Sequence, residues 1–307
     1  MLSKKSIEHV IRKIFPGCTV VKFSRFHAGF LNETYDVVIK NPKKNLVLRT
    51  FMKDDWKASK EKYVYDLIRE KTNAPVPQVY LIDRSKKVLP FTFNVMEKVP
   101  GIEINKFYDK TGNARLFYDA GALLGKLHSI KFPYFGWIVG NGINPMFKHW
   151  RNFVEYDFSH KLNQIKKIKK VPKIIITKAV DYFNSHKDLL DIKEGPVLIH
   201  KDYHSSHIFV NNNKISGIID VEWAMAGHSE LDLIKSLWWM FDDYPKMKKP
   251  FLQGYKSQHY LGKGFERRKV LYELVLLVGL IAFSHDVHNK KWFSYNIKKV
   301  KEILGVR

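Results

Sequence analysis

The sequence predicts an α+β protein with a small β-rich amino-terminal lobe and a larger, mainly helical carboxy-terminal lobe. The first third alternates short apolar strand patterns with turns and contains one helix, whereas apolar residues at helical spacing dominate the rest. Between these parts a buried strand pattern ends at Pro100-Gly101, a pair typical of a turn. We therefore expect two lobes at 1–99 and 100–307, in a chain of 307 residues that is long enough to bury a substantial core.

A hairpin opens the predicted amino-terminal lobe, after an amphipathic helix at the start of the chain. Strand patterns at 23–26 and 34–40 flank a loop at 27–33. Gly29 in this loop allows the backbone to approach a phosphate group closely, and Asn32 stands beside it. The pattern is that of two strands joined by a loop.

The next strand and the next helix carry a basic and an acidic residue. A turn leads into a strand at 46–51 that contains Arg49. The helix predicted at 57–70 has its apolar residues at helical spacing and carries Glu61 one turn before them. A guanidinium can bind phosphate oxygens in a bidentate manner, and we expect Glu61 to pair with Arg49 and orient it.

Prolines end this helix, and an apolar strand pattern at 91–99 then leads to the hinge. Beyond it, further helices are predicted at 116–127, 150–162, 173–190 and 265–283. Gly121 and Gly125 in the first of these are interpreted as small residues that allow close helix packing. The apolar run 274–283 is shorter than the roughly 20 residues that span a bilayer, so it is expected to be a core helix.

Two short segments of the helical lobe carry the chemistry. The first has His200 and Asp202 in a His-x-Asp arrangement, with His207 five residues after the Asp and apolar β-formers behind it. The second is an apolar strand that ends at Asp220. Transfer of a phosphoryl group requires an acceptor for the proton of the attacking hydroxyl and ligands for the cations that bridge the phosphates. Asp202 suits the first role, and His207 with Asp220 suits the second.

These segments resemble the aminoglycoside phosphotransferase and choline kinase superfamily, whose motif is His-Gly-Asp-x-x-x-x-Asn followed by Ile-Asp-Trp/Phe. The chain differs by Lys201 in place of Gly, His207 in place of Asn and His228-Ser229 in place of Asp-Pro. A His in place of that Asn is similar to the aminoglycoside 2''-phosphotransferase branch, the nearest in motif.

The resemblance implies a bilobal protein-kinase-like fold and an enzyme that moves the γ-phosphoryl group of ATP or GTP to a hydroxyl group, with Mg²⁺, or alternatively Mn²⁺, as the cation. It also implies that hinge backbone groups hold the nucleotide base. By alignment on Gly101 these are the carbonyl of Glu97 and the amide of Val99, with Met96 behind the base. The complete set of expected site residues is Asp202 as the catalytic residue, Gly29, Asn32, Arg49, Glu61, Met96, Glu97 and Val99 for the nucleotide, and His207 and Asp220 for the metal.

The acceptor is expected to be a small hydroxylated molecule, such as an aminoglycoside, an amino alcohol or a sugar. Acidic and aromatic residues that could line its site would suit a cationic acceptor. These are Trp150, Glu155, Asp157, Glu222, Trp223, Glu230, Asp242 and Asp243.

The composition adds two constraints. The 53 Lys and Arg exceed the 30 Asp and Glu by 23, but no nucleic-acid-binding motif accompanies this charge, so we interpret the lysine clusters as solvated surfaces. The single Cys18 excludes an intramolecular disulfide, and the start of the chain lacks the apolar core of a signal peptide. A cytoplasmic protein without membrane partners is therefore expected.

Three alternatives remain open at this stage. His200, His204, His207 and Asp220 could instead be the metal ligands of a hydrolase, since imidazole and carboxylate are ordinary zinc and iron ligands. Lys201 and His207 could mark a nucleotide-binding regulator that has kept the fold without catalysis. The basic charge could serve nucleic-acid binding, which would show a steep salt dependence.

Overall fold

The structure, a computed structural model, describes residues 2–26, 32–52 and 54–306. An antiparallel sheet forms the amino-terminal region and helices dominate the carboxy-terminal region, which confirms the predicted fold class. The hairpin loop with the predicted Gly29 falls at 27–31, outside the described residues.

Twelve strands lie in the described residues. They are β1 Thr19–Arg25, β2 Thr34–Lys40, β3 Lys44–Phe51, β4 Val79–Asp83, β5 Thr92–Glu97, β6 Ile102–Glu103, β7 Gly136–Val139, β8 Gly142–Ile143, β9 Val197–Ile199, β10 Ile208–Asn211, β11 Lys214–Ile218 and β12 Met225–Gly227.

Ten α-helices lie in the same part of the chain. They are α1 Lys4–Ile14, α2 Trp56–Thr72, α3 Ile104–Thr111, α4 Arg115–Leu127, α5 Trp150–Lys166, α6 Lys173–His186, α7 Ser229–Met240, α8 Lys248–Lys256, α9 Phe265–Asp286 and α10 Lys290–Leu304. None of them combines the length and the apolar character that a bilayer-spanning helix needs.

The amino-terminal sheet has the strand order β1-β2-β3-β5-β4, and all neighbouring strands are antiparallel. Its outer core is built from alternate residues of β2 and β3 together with the apolar side of α1, the pattern expected of strands with one buried face. The register pairs Arg49 on β3 with Asn94 on β5. Directly paired residues point to the same face of a sheet, so Arg49 and Asn94 lie side by side toward α2.

A hinge joins the sheet to the helical region and is tied to the catalytic segment. Immediately after Gly101, β6 pairs with β10, with Phe209 opposite Glu103. Gly101 has φ +100°, and a Cβ built there would lie 2.1 Å from the carbonyl oxygen of Val210. Only glycine fits this conformation and this close backbone contact.

Small residues allow close helix packing in the carboxy-terminal region, as the sequence predicts. A Cβ added at Gly121 of α4 would lie 1.9 Å from the carbonyl oxygen of Phe251 on α8. Gly254 of α8 approaches the Tyr118 carbonyl of α4 equally closely. The two helices thus pack backbone against backbone beneath the catalytic segment, where Tyr203 donates a hydrogen bond to the Ala120 carbonyl at 2.8 Å.

Candidate active site

A cavity of about 770 Å³ lies between the sheet and the helical region. Its hinge end is lined by Val47, Met96 and Val99, and its middle by the residues of the two predicted catalytic segments. The other end is bounded by α5, α7 and α9 and has largely aromatic and aliphatic walls. The cavity therefore connects the predicted nucleotide site with the predicted acceptor site.

Arg49 lies at the centre of an ion-pair network at the hinge end. Its Nη1 donates to Glu61 Oε1 at 2.8 Å, the contact expected from the sequence, and lies 3.5 Å from Asp220 Oδ1. Its Nη2 donates to Glu222 Oε2 at 2.6 Å. Glu61 is held in turn by Asn94, whose Nδ2 donates to Glu61 Oε2 at 2.5 Å. Burial alone would lower the pKa of Arg49, but the three carboxylates raise it, so the guanidinium stays charged.

Glu222 is a member of this network that the sequence suggested only as an acceptor-site residue. The side chain is 7% exposed, and Lys57 donates to its second oxygen at 2.8 Å. The buried amine of Lys60 donates to its main-chain carbonyl at 2.7 Å, and burial lowers the pKa of this lysine to about 7. The sequence signal that could have predicted this role is the Asp-x-Glu spacing of Asp220 and Glu222, which brings both carboxylates close to Arg49.

Asp202 is held by a lysine from α7. Lys235 Nζ donates to Asp202 Oδ1 at 2.8 Å and to the Lys201 carbonyl at 2.5 Å. Burial would raise the pKa of Asp202, but Lys235 and the imidazoles of His204 and His207 lower it well below its usual range. Asp202 is therefore a carboxylate at neutral pH. Lys235 lies 33 residues away in sequence, and no motif pointed to it.

A second buried carboxylate fixes the backbone of this segment. Asp232 on α7 accepts hydrogen bonds from the amides of His200 at 2.6 Å and Lys201 at 2.8 Å. Its Oδ2 also lies 3.2 Å from His128 Nε2 at the end of α4. The three contacts hold the turn that presents Asp202 to the cavity.

Asp220 and His207 face one another across the cavity wall. Asp220 has φ +65°, a strained conformation for a non-glycine residue, and its amide donates to Tyr65 Oη of α2 at 2.9 Å. His207 Nδ1 lies 2.9 Å from the Asp202 carbonyl, which can only accept, so Nδ1 carries the proton. The other ring nitrogen, Nε2, lies 3.7 Å from Asp220 Oδ2. A ring held by Nδ1 with Nε2 free is the usual arrangement of a metal-binding histidine.

His200 cannot be a metal ligand in this arrangement, which weighs against the hydrolase alternative. The ring is 1% exposed, its Nε2 donates to the Ile219 carbonyl at 3.1 Å, and its Nδ1 accepts from the Asp202 amide at 3.3 Å. Burial lowers its pKa to about 4, so it is neutral. Asp202, His204 and His207 do have potential metal-ligand atoms within 4.8 Å of one another. A cation beside Asp202 would therefore have these three side chains as ligands.

The predicted hinge residues line the cavity. Met96 is 5% exposed, and Met96, Glu97 and Val99 follow one another along the wall. The Lys98 amide donates a hydrogen bond to the Asn45 carbonyl at 3.1 Å, but no described residue accepts a hydrogen bond from the Val99 amide. Asn32, near the end of the predicted hairpin loop, reaches the other side of the site, with its Nδ2 at 3.5 Å from Glu222 Oε2.

Half of the predicted acceptor-site residues lie elsewhere. The cavity is lined by Trp150, Asp157, Glu222 and Trp223, but not by Glu155, Glu230, Asp242 or Asp243. Glu155 and Asp157 are two residues apart on α5, which places them about 200° apart around the helix. Glu155 accordingly lines a surface groove and pairs with Lys187 at 3.2 Å, whereas Glu230 is buried against Arg268 at 2.6 Å.

Comparison with protein-family models finds the phosphotransferase enzyme family, APH, with residues 22–270 matched. The match therefore covers the sheet, the hinge and both catalytic segments. A comparison with curated protein sequences finds no match.

Solved structures with the same fold extend over nearly all of the chain. Aminoglycoside phosphotransferase APH(4)-Ia has a TM-score of 0.78 at 16% identity, with 99% of both chains covered. A proposed fructosamine-3-kinase from Thermobifida fusca has a TM-score of 0.77 at 16% identity, with 99% of this chain and 100% of that chain covered. A thermostable variant of APH(4)-Ia in a ternary complex with AMP-PNP and hygromycin B has a TM-score of 0.74 at 18% identity, with 98% of both chains covered.

Proposed function

The chain belongs to the phosphotransferase enzyme family and is a small-molecule phosphotransferase, and on this premise we propose that it transfers the γ-phosphoryl group of ATP or GTP to a hydroxyl group of a small molecule. The observation that carries the proposal is the single cavity in which Arg49, Asp202 and Asp220 meet below a hinge with a free backbone donor. We divide the chain accordingly, with residues 1–99 for the nucleotide and 100–307 for catalysis and the acceptor.

The nucleotide lies between the hinge and Arg49. The Glu97 carbonyl and the Val99 amide offer the base one acceptor and one donor, and Met96 closes the wall behind it. Arg49 Nε is buried and has no acceptor among the described residues, so a phosphate oxygen would satisfy it. The APH(4)-Ia variant named above binds AMP-PNP, which supports this part of the proposal.

A divalent cation, Mg²⁺ or Mn²⁺, fits the residues below the phosphates. His207 Nε2 and Asp220 Oδ2 would hold it, because their separation of 3.7 Å suits two neighbouring ligands of one ion. Burial would raise the pKa of Asp220, but Arg49 and His207 lower it, so it is a carboxylate at neutral pH. The cation would supply charge neutralisation for the transferred group.

The acceptor hydroxyl lies beside Asp202. The carboxylate has Oδ1 bound by Lys235 and Oδ2 facing the two imidazoles, so it can orient the hydroxyl and accept its proton as the bond to phosphorus forms. Lys235, also on the cavity wall, adds positive charge near the transferred group. ATP and GTP are cytoplasmic nucleotides, and the lone Cys18 agrees with a reducing compartment, so we place the reaction in the cytoplasm.

The test is a thermal-shift screen of ATP and GTP with Mg²⁺ or Mn²⁺, followed by measurement of nucleoside diphosphate release over a panel of sugars, amino alcohols and aminoglycosides. We expect one nucleotide–metal pair to raise the melting temperature and acceptor-dependent release to follow. A protein that no nucleotide–metal pair stabilises would contradict the proposal. Stabilisation without transfer to any acceptor would favour the non-catalytic regulator.

A further inference from the structure

Lys201 adopts a backbone conformation that favours glycine. Its φ is +62°, in the left-handed region, where a Cβ clashes with the backbone and glycine does not. The family motif quoted above has glycine at this position, immediately before the catalytic Asp202. A long side chain retained at a strained position next to the reacting group points to a use for that side chain.

The ammonium of Lys201 has no anionic partner among the described residues. It lies 4.0 Å above the ring of Trp137, and both residues line the cavity. No described residue offers its Nζ a hydrogen-bond acceptor or a carboxylate at ion-pair distance, and Asp157 on α5 is the acid that influences it most. Burial lowers its pKa to about 8. A cation in such a place is poorly compensated until something negative binds to it.

The acceptor end of the cavity is poorly suited to a polycation. Of the carboxylates near the middle, Glu222 is taken by Arg49 and Lys57, and Asp202 is taken by Lys235. Toward α5 and α9 the cavity wall also holds two carboxylates, Asp157 and Asp286, and two ammonium groups, Lys161 and Lys201, with no ion pair between the two sets among the described residues. A polycationic acceptor would therefore meet as many positive charges as negative ones.

Aromatic rings form much of the remaining wall, together with aliphatic side chains. They include those of Trp137, Trp223, Trp239, Phe283 and Trp292. Two pairs of them lie in contact, with ring centroids 5.8 Å apart for Trp223 and Phe283 and 6.1 Å apart for Trp239 and Trp292. Such surfaces bind a flat apolar or ring-shaped body by stacking.

We propose that the acceptor is a ring-containing hydroxyl compound with a carboxylate or phosphate group, that Lys201 binds this anionic group above Trp137, and that the hydroxyl reaches Asp202. This inference rests on the proposed function, because it names the acceptor class of the same site. Adjacent residues hold the two groups, so the anionic group and the hydroxyl belong to one compact molecule.

The test compares three para-substituted benzyl alcohols that bear a carboxylate, a methyl or an aminomethyl group. Their binding is measured by quenching of tryptophan fluorescence without nucleotide, where transfer cannot occur, and nucleoside diphosphate release is measured separately. The variants are Lys201→Gly and Lys201→Asn, which both suit a left-handed conformation and remove the charge. Lys86→Gly is the matched control, because Lys86 also has a positive φ, +57°, but is exposed outside the cavity.

For the wild type and Lys86→Gly we expect the carboxylate to bind about tenfold more tightly than the methyl compound, with the amine weakest. Both Lys201 variants should lose this preference. In the binding assay, the inference is overturned if the aminomethyl compound binds most tightly, or if the carboxylate compound causes no quenching at millimolar concentration. It is also overturned if the Lys201 variants keep the preference for the carboxylate compound, or if their only change is in the KM of the nucleotide. Transfer without a carboxylate preference would leave the proposed function intact, whereas Lys201-dependent binding without any transfer would count against the function alone.

Discussion

The two ends of the cavity differ in whether their charged side chains are paired with opposite charges. At the hinge end, Arg49 meets three carboxylates and nearly every ionic group has a partner before any ligand binds. At the other end, the ammonium of Lys201 lies above the ring of Trp137 and has no acceptor among the described residues. Paired charges keep a site in one geometry, whereas a charge without a partner selects what binds to it. On the proposed function, the first end serves the phosphoryl transfer itself and the second selects the acceptor.

The largest expected effect comes from Asp202→Ala, at the border between the two ends. Loss of the group that accepts the hydroxyl proton should lower kcat by about 10³-fold, while the Kd of the nucleotide changes only a few-fold. Single-turnover transfer and nucleotide titration measure the two quantities. Asp157→Ala, a change at the aromatic end, is the control, and near-normal turnover in Asp202→Ala would remove this residue from the mechanism.

Arg49→Met tests whether the charges at the hinge end depend on one another. It leaves the buried carboxylates of Glu61 and Glu222 without the guanidinium, so the free energy of unfolding should fall by about 3 kcal/mol. The double variant Arg49→Met/Glu61→Gln should regain part of this stability without regaining nucleotide affinity. Urea unfolding and nucleotide titration distinguish the two effects. Equal stability of wild type and Arg49→Met would show that the network contributes nothing to the fold.

Lys235→Met should change the pH dependence of the reaction. Without the ammonium, burial raises the pKa of Asp202, so the acid limb of the kcat/KM profile moves to higher pH. As the pH falls, Lys235→Met should lose activity at a higher pH than the wild type does. At neutral pH its kcat/KM should be about tenfold lower than that of the wild type. Lys161→Met, which removes a cavity charge that does not contact Asp202, is the control. Equal shifts in both variants would indicate a general charge effect.

The smallest effect is expected for Lys201→Gly, measured as stability in urea. Relief of the left-handed backbone and removal of an uncompensated charge oppose the entropy cost of glycine, so the free energy of unfolding should rise by up to about 1 kcal/mol. Lys86→Gly should gain less, since its ammonium is solvated. A loss of stability in Lys201→Gly would mean that the lysine already has a partner, and the contrast between the two ends would not hold.

The sequence was most informative where chemistry fixes the residue type. Arg49, Glu61, Asp202 and Asp220 occupy positions set by strand, helix and loop spacing, and the structure brings all four to the cavity. Glu222 lines the cavity, as the sequence suggested, but its ion pairs with Arg49 and Lys57 were not predicted, because these partners come from the amino-terminal region. Contacts of this kind depend on how secondary-structure elements pack against one another, which local sequence patterns do not predict.

The same limit applies to the elements that the sequence did not predict. Residues 229–236 of α7 are all buried, the polar ones included, so polarity along this helix does not follow exposure and shows no amphipathic period. Helix α8 contains Gly254, a weak helix former that is needed for the close approach to α4. Lys235 and Asp232, which hold the catalytic segment, lie on the unpredicted α7.

Helix α2 holds both Arg49 and Asp220 in place. Glu61 and Tyr65 are four residues apart and so lie on the same side of the helix, where one holds Arg49 and the other holds the backbone of Asp220. A rigid displacement of α2 that breaks one of these contacts also breaks the other. We therefore expect Arg49, the proposed phosphate ligand, and Asp220, the proposed cation ligand, to be positioned or released together when α2 moves.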